Sequence, residues 1–249
     1  MTMRLCIRVI IAAILFSYPL SVFAIDLPTI SLGVENATTP SEVSSAVQIL
    51  LVLTVLSAAP AILLMTTAFV RVVVVLSFVR QAMGTQQMPP NQVIVGLAMF
   101  LTFFIMSPVY TVVNEQAVQP YLAGEINQQV ALELAIDPIR EFMFSQTREE
   151  DLALLIDVSG HDQPTSQLEV ATTALIPAFM LSELNRAFQI GFMIYIPFLV
   201  IDMIVASVLM SMGMMMLPPP IISLPFKLLL FVLVDGWGLV VGALVKSFS

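Results

Sequence analysis

Four long apolar segments dominate the pattern of hydrophobic and polar positions along the chain. They cover about residues 46–70, 93–113, 187–210 and 221–245, and residue 79 is an alternative end for the first of them. A helix needs roughly 20 predominantly apolar residues to cross the hydrocarbon core of a bilayer. The pattern therefore predicts four membrane-spanning helices.

Proline lies inside each of these apolar segments, at Pro60, Pro108, Pro197 and Pro225. A proline within a helix removes one backbone hydrogen bond and bends the helix. In lipid the freed carbonyl group needs a neighbouring helix or water as its partner. We therefore expect kinked helices that are buried among partners rather than isolated in lipid.

The composition agrees with a membrane location. The chain has 249 residues, of which 59% are hydrophobic and only 10% are charged, whereas an average soluble domain has roughly 25% charged residues. The net charge of −8 argues against nucleic acid as a partner. Cys6 is the single cysteine, so the chain has no intrachain disulfide.

The first 24 residues have the order of parts that is typical of a secretory signal peptide. Arg4 and Arg8 give a basic start, residues 10–16 form a short apolar stretch, and Ala24 is a small residue at the expected cut. The apolar stretch is too short to span a bilayer. We predict cleavage after residue 24, with an uncleaved first helix as the alternative, and a polar, acidic N-terminal tail over residues 25–45.

The distribution of charge predicts the orientation in the membrane. Residues 71–92 contain Arg71 and Arg80 and no acidic residue, whereas residues 114–173 contain eleven acidic residues. Because basic connections stay on the cytoplasmic side, we expect the first stretch to be cytoplasmic and the acidic one periplasmic. The same orientation follows from a cleaved signal peptide.

The acidic segment (residues 114–176) also has a helical pattern. Beginning at Pro138, apolar residues recur at helical spacing; they are Ile139, Phe142, Met143, Leu152, Leu155 and Ile156. Thr147 and Glu150 have the spacing of a capping box, which favours two short helices over one. Residues 159–166 are rich in turn formers.

Five charged residues lie within or beside the last two apolar segments, where charge is costly. They are Glu183, Arg186, Asp202, Lys227 and Asp235. Glu183 and Arg186 are one helical turn apart and can pair with each other or with another subunit. Glu183 and Asp202 are the candidate partners of Lys227. We favour buried structural pairs over a proton relay, because intramembrane charges commonly pair.

A run of methionines precedes three consecutive prolines; it consists of Met210, Met212, Met214, Met215 and Met216. Methionine is apolar, unbranched and flexible, and hydrophobic constrictions can close a pore against water. The run therefore indicates either a gate built from several subunits or a flexible methionine-rich turn in a core. The prolines add support to the gate, since they stop the helix and produce an extended loop that needs shelter from lipid, and the flexible turn stays open as the alternative.

The common catalytic and metal-binding motifs are absent from the sequence. It contains no HExxH, GxSxG or GxxxxGK motif. The single histidine, His161, has no second metal ligand near it in the sequence. We predict a protein that is not an enzyme and has no cofactor or metal, and an aspartate hydrolase using Asp202 and Asp235 is a remote alternative.

Two blocks of the sequence stand out, at residues 177–192 (PAFMLSELNRAFQIGF) and 224–237 (LPFKLLLFVLVDGW). They resemble the FliP family of the flagellar type III protein export gate, which is related to the SctR proteins of virulence secretion. The shorter runs 67–71 (TAFVR) and 88–90 (MPP) are also similar to the family. The signal peptide and polar tail favour the flagellar branch.

The resemblance implies a function that the composition does not. It implies a ring of several copies with FliQ and FliR, with FlhB and FlhA as further partners, through which flagellar proteins cross the inner membrane at the basal body. It also implies a methionine gasket around the pore, and a pair between Glu183 and Lys227 of neighbouring subunits, with Arg186 a weaker candidate. Family helices can be raised towards the periplasm. A stand-alone proton-coupled transporter using Glu183, Asp202 and Lys227 is the alternative.

These inferences define the expected architecture, which is an all-α membrane protein. Kinked helical hairpins would assemble into a multi-subunit helical ring, with a small helical periplasmic segment. The expected parts are the signal peptide (1–24), the tail (25–45), the first hairpin (46–113), the acidic segment (114–176) and the second hairpin with the methionine run (177–249).

Overall fold

A computed structural model describes residues 40–85, 88–159, 164, 166–167, 169–214 and 216–248. The predicted signal peptide, most of the polar tail, His161 and Met215 lie outside the described residues. The chain divides into two units, residues 1–51 and 52–249. Within the first unit, the described residues belong to the start of a helix.

Every regular element among the described residues is helical, as predicted. The helices are α1 (Pro40–Met65), α2 (Phe69–Ala82), α3 (Asn91–Val113), α4 (Gln119–Leu122), α5 (Gln128–Gln146), α6 (Glu149–Ser159), α7 (Thr172–Ser211), α8 (Pro219–Leu233) and α9 (Gly236–Lys246). A π-helical turn, Asn114–Val118, joins α3 to α4.

Among the described residues, two continuous helical runs are long and apolar enough to cross a membrane. They are Asn91–Leu122, with 32 residues, and α7, with 40 residues. Two bent pairs raise the number to four if each pair counts as one span: the Ile49–Met65 part of α1 with α2, bent by 65°, and α8 with α9, bent by 64°. The structure thus supports two to four spans by length and composition.

The prolines do not mark the breaks between helices. The prolines at which kinks were predicted, at positions 60, 108, 197 and 225, all lie inside continuous helices. One break falls instead at residues 66–68 and the other at residues 234–235. At the second break Asp235 adopts a left-handed backbone conformation (φ 51°). A Cβ atom on Gly236 would lie 2.3 Å from the ring of Phe231, so glycine allows this close approach.

The main core forms where α2 packs against α7. Val72, Val75, Leu76 and Val79 recur at helical spacing and are fully or almost fully buried. Ala187 of α7 belongs to the same hydrophobic cluster. Helix α2 is therefore a central element of the described chain, although its valine-rich sequence contains Arg71.

A second hydrophobic cluster holds the acidic segment against the start of α7. Its buried members are Met143, Val170, Leu175 and Phe179, and Ile139, Phe142, Phe144, Leu152, Ile156 and Ile176 pack around them. The division into two helices, α5 and α6, confirms the expectation from the sequence. Five of the six apolar positions predicted between residues 139 and 156 pack in this cluster, and Leu155 is not among its members.

Two details of the acidic segment were predicted wrongly. Helix α5 begins at Gln128, ten residues before Pro138, because the side chain of Asn127 accepts a hydrogen bond from the backbone N–H of Val130 at 2.9 Å. Pro138 is buried inside the helix. Thr147 is the C-cap of α5 and lies two residues before α6 begins, at Glu149, and its hydroxyl donates to the backbone carbonyl of Met143 at 2.6 Å.

Candidate functional site

Arg71, in the first turn of α2, is fully buried and binds the carboxylate of Glu183 on α7. Its Nε donates to Glu183 Oε2 at 2.9 Å, and its Nη2 donates to Oε1 of the same carboxylate. The Nη2 group also donates to Oε1 of Gln146, the last residue of α5, at 3.0 Å. A bidentate guanidinium–carboxylate pair of this kind is strong and geometrically specific. The pair joins α2, α5 and α7 at one point.

The remaining donors of Arg71 are taken by residues that follow α9. Its Nη1 donates to the backbone carbonyl of Ser247 at 2.8 Å and to the Ser247 hydroxyl at 2.9 Å. The guanidinium carbon also lies 3.7 Å from the ring centroid of Phe248, in cation–π contact. A guanidinium has five N–H donors, and these contacts satisfy all five. A buried charge is tolerated when it is paired and fully hydrogen-bonded in this way.

A second group of polar contacts attaches α6 to α7. The Ser182 hydroxyl is fully buried; it donates to Asp151 Oδ2 at 2.6 Å and accepts the backbone N–H of Arg148 at 3.0 Å. Asp151 also receives two hydrogen bonds of 2.8 Å from the Arg148 guanidinium. The hydrogen bonds from Arg148 are the main reason that the pKa of the Asp151 carboxyl lies below its usual value, and the Ser182 hydroxyl adds to this effect. Burial acts in the opposite direction.

The other buried cation, Lys227 on α8, pairs with Asp202 on α7. The Nζ of Lys227 lies 2.6 Å from Asp202 Oδ2, and the Ser223 hydroxyl donates to Oδ1 of the same carboxylate. Nineteen residues separate Glu183 from Asp202 on α7, or about 28 Å at 1.5 Å per residue. The two carboxylates therefore bracket an apolar stretch that is close to the roughly 30 Å of a hydrocarbon core.

The partners within the chain differ from some of those suggested by the sequence. Of the two candidates for Lys227, Asp202 is the partner, and Glu183 is bound by Arg71 instead. Arg186 does not pair with Glu183 within 4.0 Å but donates to Gln146 Oε1 at 2.7 Å. A pair between Glu183 and Lys227 of neighbouring subunits would have to compete with these contacts. It stays a prediction.

Asp235 is exposed, whereas the sequence suggested a buried pair. Its carboxylate lies over the start of α9, since a Cβ atom on Gly238 would come within 2.4 Å of Asp235 Oδ2. The described residues offer it no hydrogen-bond or ion-pair partner. Within a membrane such a charge needs a partner from outside the described residues or from water.

Met210 lies in the last turn of α7, and Met212, Met214 and Met216 lie between α7 and α8. Backbone hydrogen bonds run from Met214 to Leu209 and from Gly213 to Met210, at 3.0 and 3.1 Å, and Gly213 has a φ of 74°. This is the Schellman arrangement, which needs a residue with positive φ directly after the helix. It turns the methionines outward: the exposed fractions are 59% for Met210, 64% for Met212 and 98% for Met216. Met214 is partly buried.

Four residues have roles that were not predicted from the sequence: Arg71, Gln146, Asp151 and Ser182. Arg71 was treated as a loop charge that indicates orientation, but it lies in a helix and contacts the acidic segment through Gln146. Its position in a run of phenylalanine and valine marks it as a buried charge. Gln146, Asp151 and Ser182 give no comparable signal in one sequence, because their burial depends on how three helices pack.

Together these contacts define a class of protein. It is an all-helical membrane protein whose buried charges join helices to one another and whose described residues contain no cluster of three or more metal-ligating side chains. The sequence profile of the FliP family matches residues 52–244. The chain belongs to the FliP family.

Individual relatives support this assignment. The flagellar biosynthetic protein FliP of Bacillus subtilis is 56% identical over 217 residues, which cover 87% of this chain and 98% of the relative. The proteins of the same name from Pectobacterium carotovorum and Caulobacter vibrioides are each 54% identical over 203 residues, or 82% of this chain. The match covers 79% and 76% of those two relatives.

Proposed function

We propose that the chain is a pore-forming subunit of the flagellar type III protein export gate. Several copies would form a ring with FliQ and FliR in the bacterial inner membrane, and unfolded flagellar proteins would pass through its centre. Membership of the FliP family supports a role in flagellar export, since its relatives are named flagellar biosynthetic proteins. The observation in the structure that carries the proposal is the exposed methionine turn.

The chemistry of this turn favours a protein-lined pore over contact with lipid. Residues 212–218 lie between two helices, so several of their backbone polar groups lack helical partners. Such groups are not tolerated in hydrocarbon unless protein or water surrounds them. The exposed methionines are nevertheless apolar and gain by leaving water. A ring of copies, in which methionines meet around a narrow opening, satisfies both requirements.

Such a ring would act as a gasket. A hydrophobic constriction excludes water and ions, and unbranched methionine side chains adapt their shape to what they contact. The opening would therefore remain sealed at rest and yield to a polypeptide in transit. Protein passage requires no catalytic residue in this chain, which agrees with its membership of a family not known for enzymes.

The surface of the remaining helices supports assembly with other membrane proteins. Large apolar side chains are exposed along α3, α7 and α8, among them Phe100, Met193 and Val232. Lipid or neighbouring subunits must cover them. We propose FliQ and FliR as neighbours in the ring, FlhB and FlhA as further partners, and a periplasmic position for the acidic segment and the N-terminal tail.

The proton-coupled transporter receives less support from the geometry. Both buried carboxylates in question, Glu183 and Asp202, are bound by a cation within the chain. A proton taken up by either carboxylate would leave the cation bound to it as an unpaired buried charge, which is costly. The two pairs are better explained as contacts that fix the positions of α2, α7 and α8.

Replacement of Met212, Met214 and Met216 by alanine tests the gasket. We expect the complex to assemble but the resting membrane to leak small ions, which a potential-sensitive dye in cells or vesicles would measure. Met193 and Met203 lie exposed on the shaft of α7, and their replacement by alanine is the matched control. Normal assembly with membranes as tight as those of the control would reject the proposal.

A further inference from the structure

We infer that Ser247 and Phe248, which follow α9, form a latch that holds helix α5 against α2 and α7. When these two residues are bound to Arg71, they complete the polar site around it. When they leave Arg71, the acidic segment is free to move away from the membrane-spanning helices. The inference concerns the conformations of a single chain and does not depend on the proposed role in export.

The first part of the latch is its contact with Arg71. Ser247 accepts two of the five N–H donors of the guanidinium, through its backbone carbonyl and its hydroxyl. Phe248 covers the face of the same group at 3.7 Å. The other three donors go to Glu183 and Gln146. Ser247 and Phe248 thus complete the coordination of a charge that is shielded from solvent.

The second part of the latch is its contact with α5. The ring of Phe248 stacks on that of Phe142, with centroids 6.3 Å apart and planes inclined by 20°. Phe142 in turn meets Phe179 of α7 edge to face, at 5.9 Å. Phe248 therefore lies between a cation on α2 and an aromatic ring on α5, so that it contacts both the spanning helices and the acidic segment.

Release of Ser247 and hydration of the site around Arg71 are coupled. If Ser247 leaves, two donors of a buried guanidinium lose their acceptors, which is unfavourable unless water enters. Water at Arg71 weakens its contacts with Glu183 and Gln146. Helix ends open at lower free energy than helix interiors, and the latch follows directly after Lys246, the last residue of α9. Release of the latch is therefore the easiest way to hydrate the site and loosen α5.

Hydrogen exchange on the full-length chain in lipid nanodiscs tests the latch. In Phe248→Ala we expect amides of residues 139–146 to exchange at least about tenfold faster than in the unmodified chain, from the loss of one desolvated cation–π contact and one ring stack. Amides in the middle of α2 should keep their rates. Phe248→Tyr retains the ring and should restore slow exchange. Phe100→Ala is the control, because it removes an exposed aromatic ring on α3 that is far from Phe248 in the sequence.

Two outcomes would overturn the inference. One is a rate for residues 139–146 in Phe248→Ala that equals the rate in Phe100→Ala. The other is an equal acceleration in α2 and α5, which would show a general loss of stability and no latch. If Phe248→Ala does not accumulate in membranes, Phe248→Leu, which retains apolar volume without an aromatic face, is judged by the same two criteria.

Discussion

Arg71 is the residue on which the longest-range polar contacts between described residues converge. It joins positions 146, 183 and 247 through hydrogen bonds, and all of these are far away in the sequence. Its burial was predictable in principle, because a lone charge in a valine-rich helix must find a partner. Its partners were not predictable, since each belongs to a different helix and only the packing of these helices brings them together.

Arg71→Lys should destabilise the chain although it keeps the charge. Lysine has three donors on a flexible stem and cannot bind Glu183 bidentately while also reaching Gln146 and Ser247. With buried acceptors left unpaired, we expect the free energy of unfolding to fall by about 2–3 kcal/mol, measured as a lower midpoint of thermal unfolding in detergent. Retention of the wild-type midpoint would contradict the importance of the guanidinium geometry.

Arg80→Lys is the matched control, at the other end of the same helix. Arg80 donates to the carbonyl of Pro89 and the side chain of Asn91 at 3.4 and 3.2 Å, and it contacts no carboxylate within 4.0 Å in the part of the chain that the structure describes. This substitution should change the free energy of unfolding by no more than about 0.5 kcal/mol.

The helices themselves were more predictable than the points at which they end. Apolar runs indicated where long helices lie, but α7 begins at Thr172, well before the predicted start at residue 187. Its polar residues, such as Ser182 and Glu183, looked unsuited to a spanning helix, yet they are buried by the acidic segment and by α2. At 40 residues α7 is about 60 Å long, twice the thickness of a hydrocarbon core. Part of it must therefore project beyond the hydrocarbon.

Close packing of α2 on α7 depends on Gly191. A Cβ atom there would lie 2.7 Å from two ring carbons of Phe78 and 3.1 Å from its Cβ. Rotation of the ring cannot relieve a clash with the root of the side chain, and the ring is also held edge to face by Phe188 at 5.5 Å. Gly191→Ala should therefore push the helices apart and cost about 1–3 kcal/mol of unfolding free energy.

The opposite sign is expected for Gly96→Ala, which serves as the control. Gly96 lies inside α3, and no atom comes within 4 Å of the position that its Cβ would take. Alanine in an unobstructed helical position stabilises by about 0.5–1 kcal/mol relative to glycine. Thermal unfolding of both variants in the same detergent checks the pair. A Gly191→Ala chain as stable as Gly96→Ala would show that the two helices are less tightly packed than described.

On the scale of the whole molecule, the sequence indicated two parts, an apolar bundle and an acidic helical segment, but not how they are joined. Polar contacts of Gln146 with Arg71 and Arg186, and of Asp151 with Ser182, join the two parts, together with the cluster around Phe179. Pairing residues that lie 31 and 75 positions apart requires knowledge of three-dimensional packing. Periodicity in one sequence carries no such information.

The contact at Asp151 predicts how this joint responds to acid. Because its pKa is lower in the folded chain than the roughly 3.9 of an unfolded chain, the ionised carboxylate stabilises the folded state fully above that value. This stabilisation is lost as the pH falls from about 4 through the folded pKa. Hydrogen exchange in α6 should thus be insensitive to this group between about pH 5 and 7, after correction for intrinsic rates, and should accelerate below about pH 4.

Asp151→Asn should exchange faster at neutral pH and lose this acid response, whereas Asp157→Asn, an exposed change on the same helix, should retain it. An unchanged acid response in Asp151→Asn would mean that another group controls the attachment of α6.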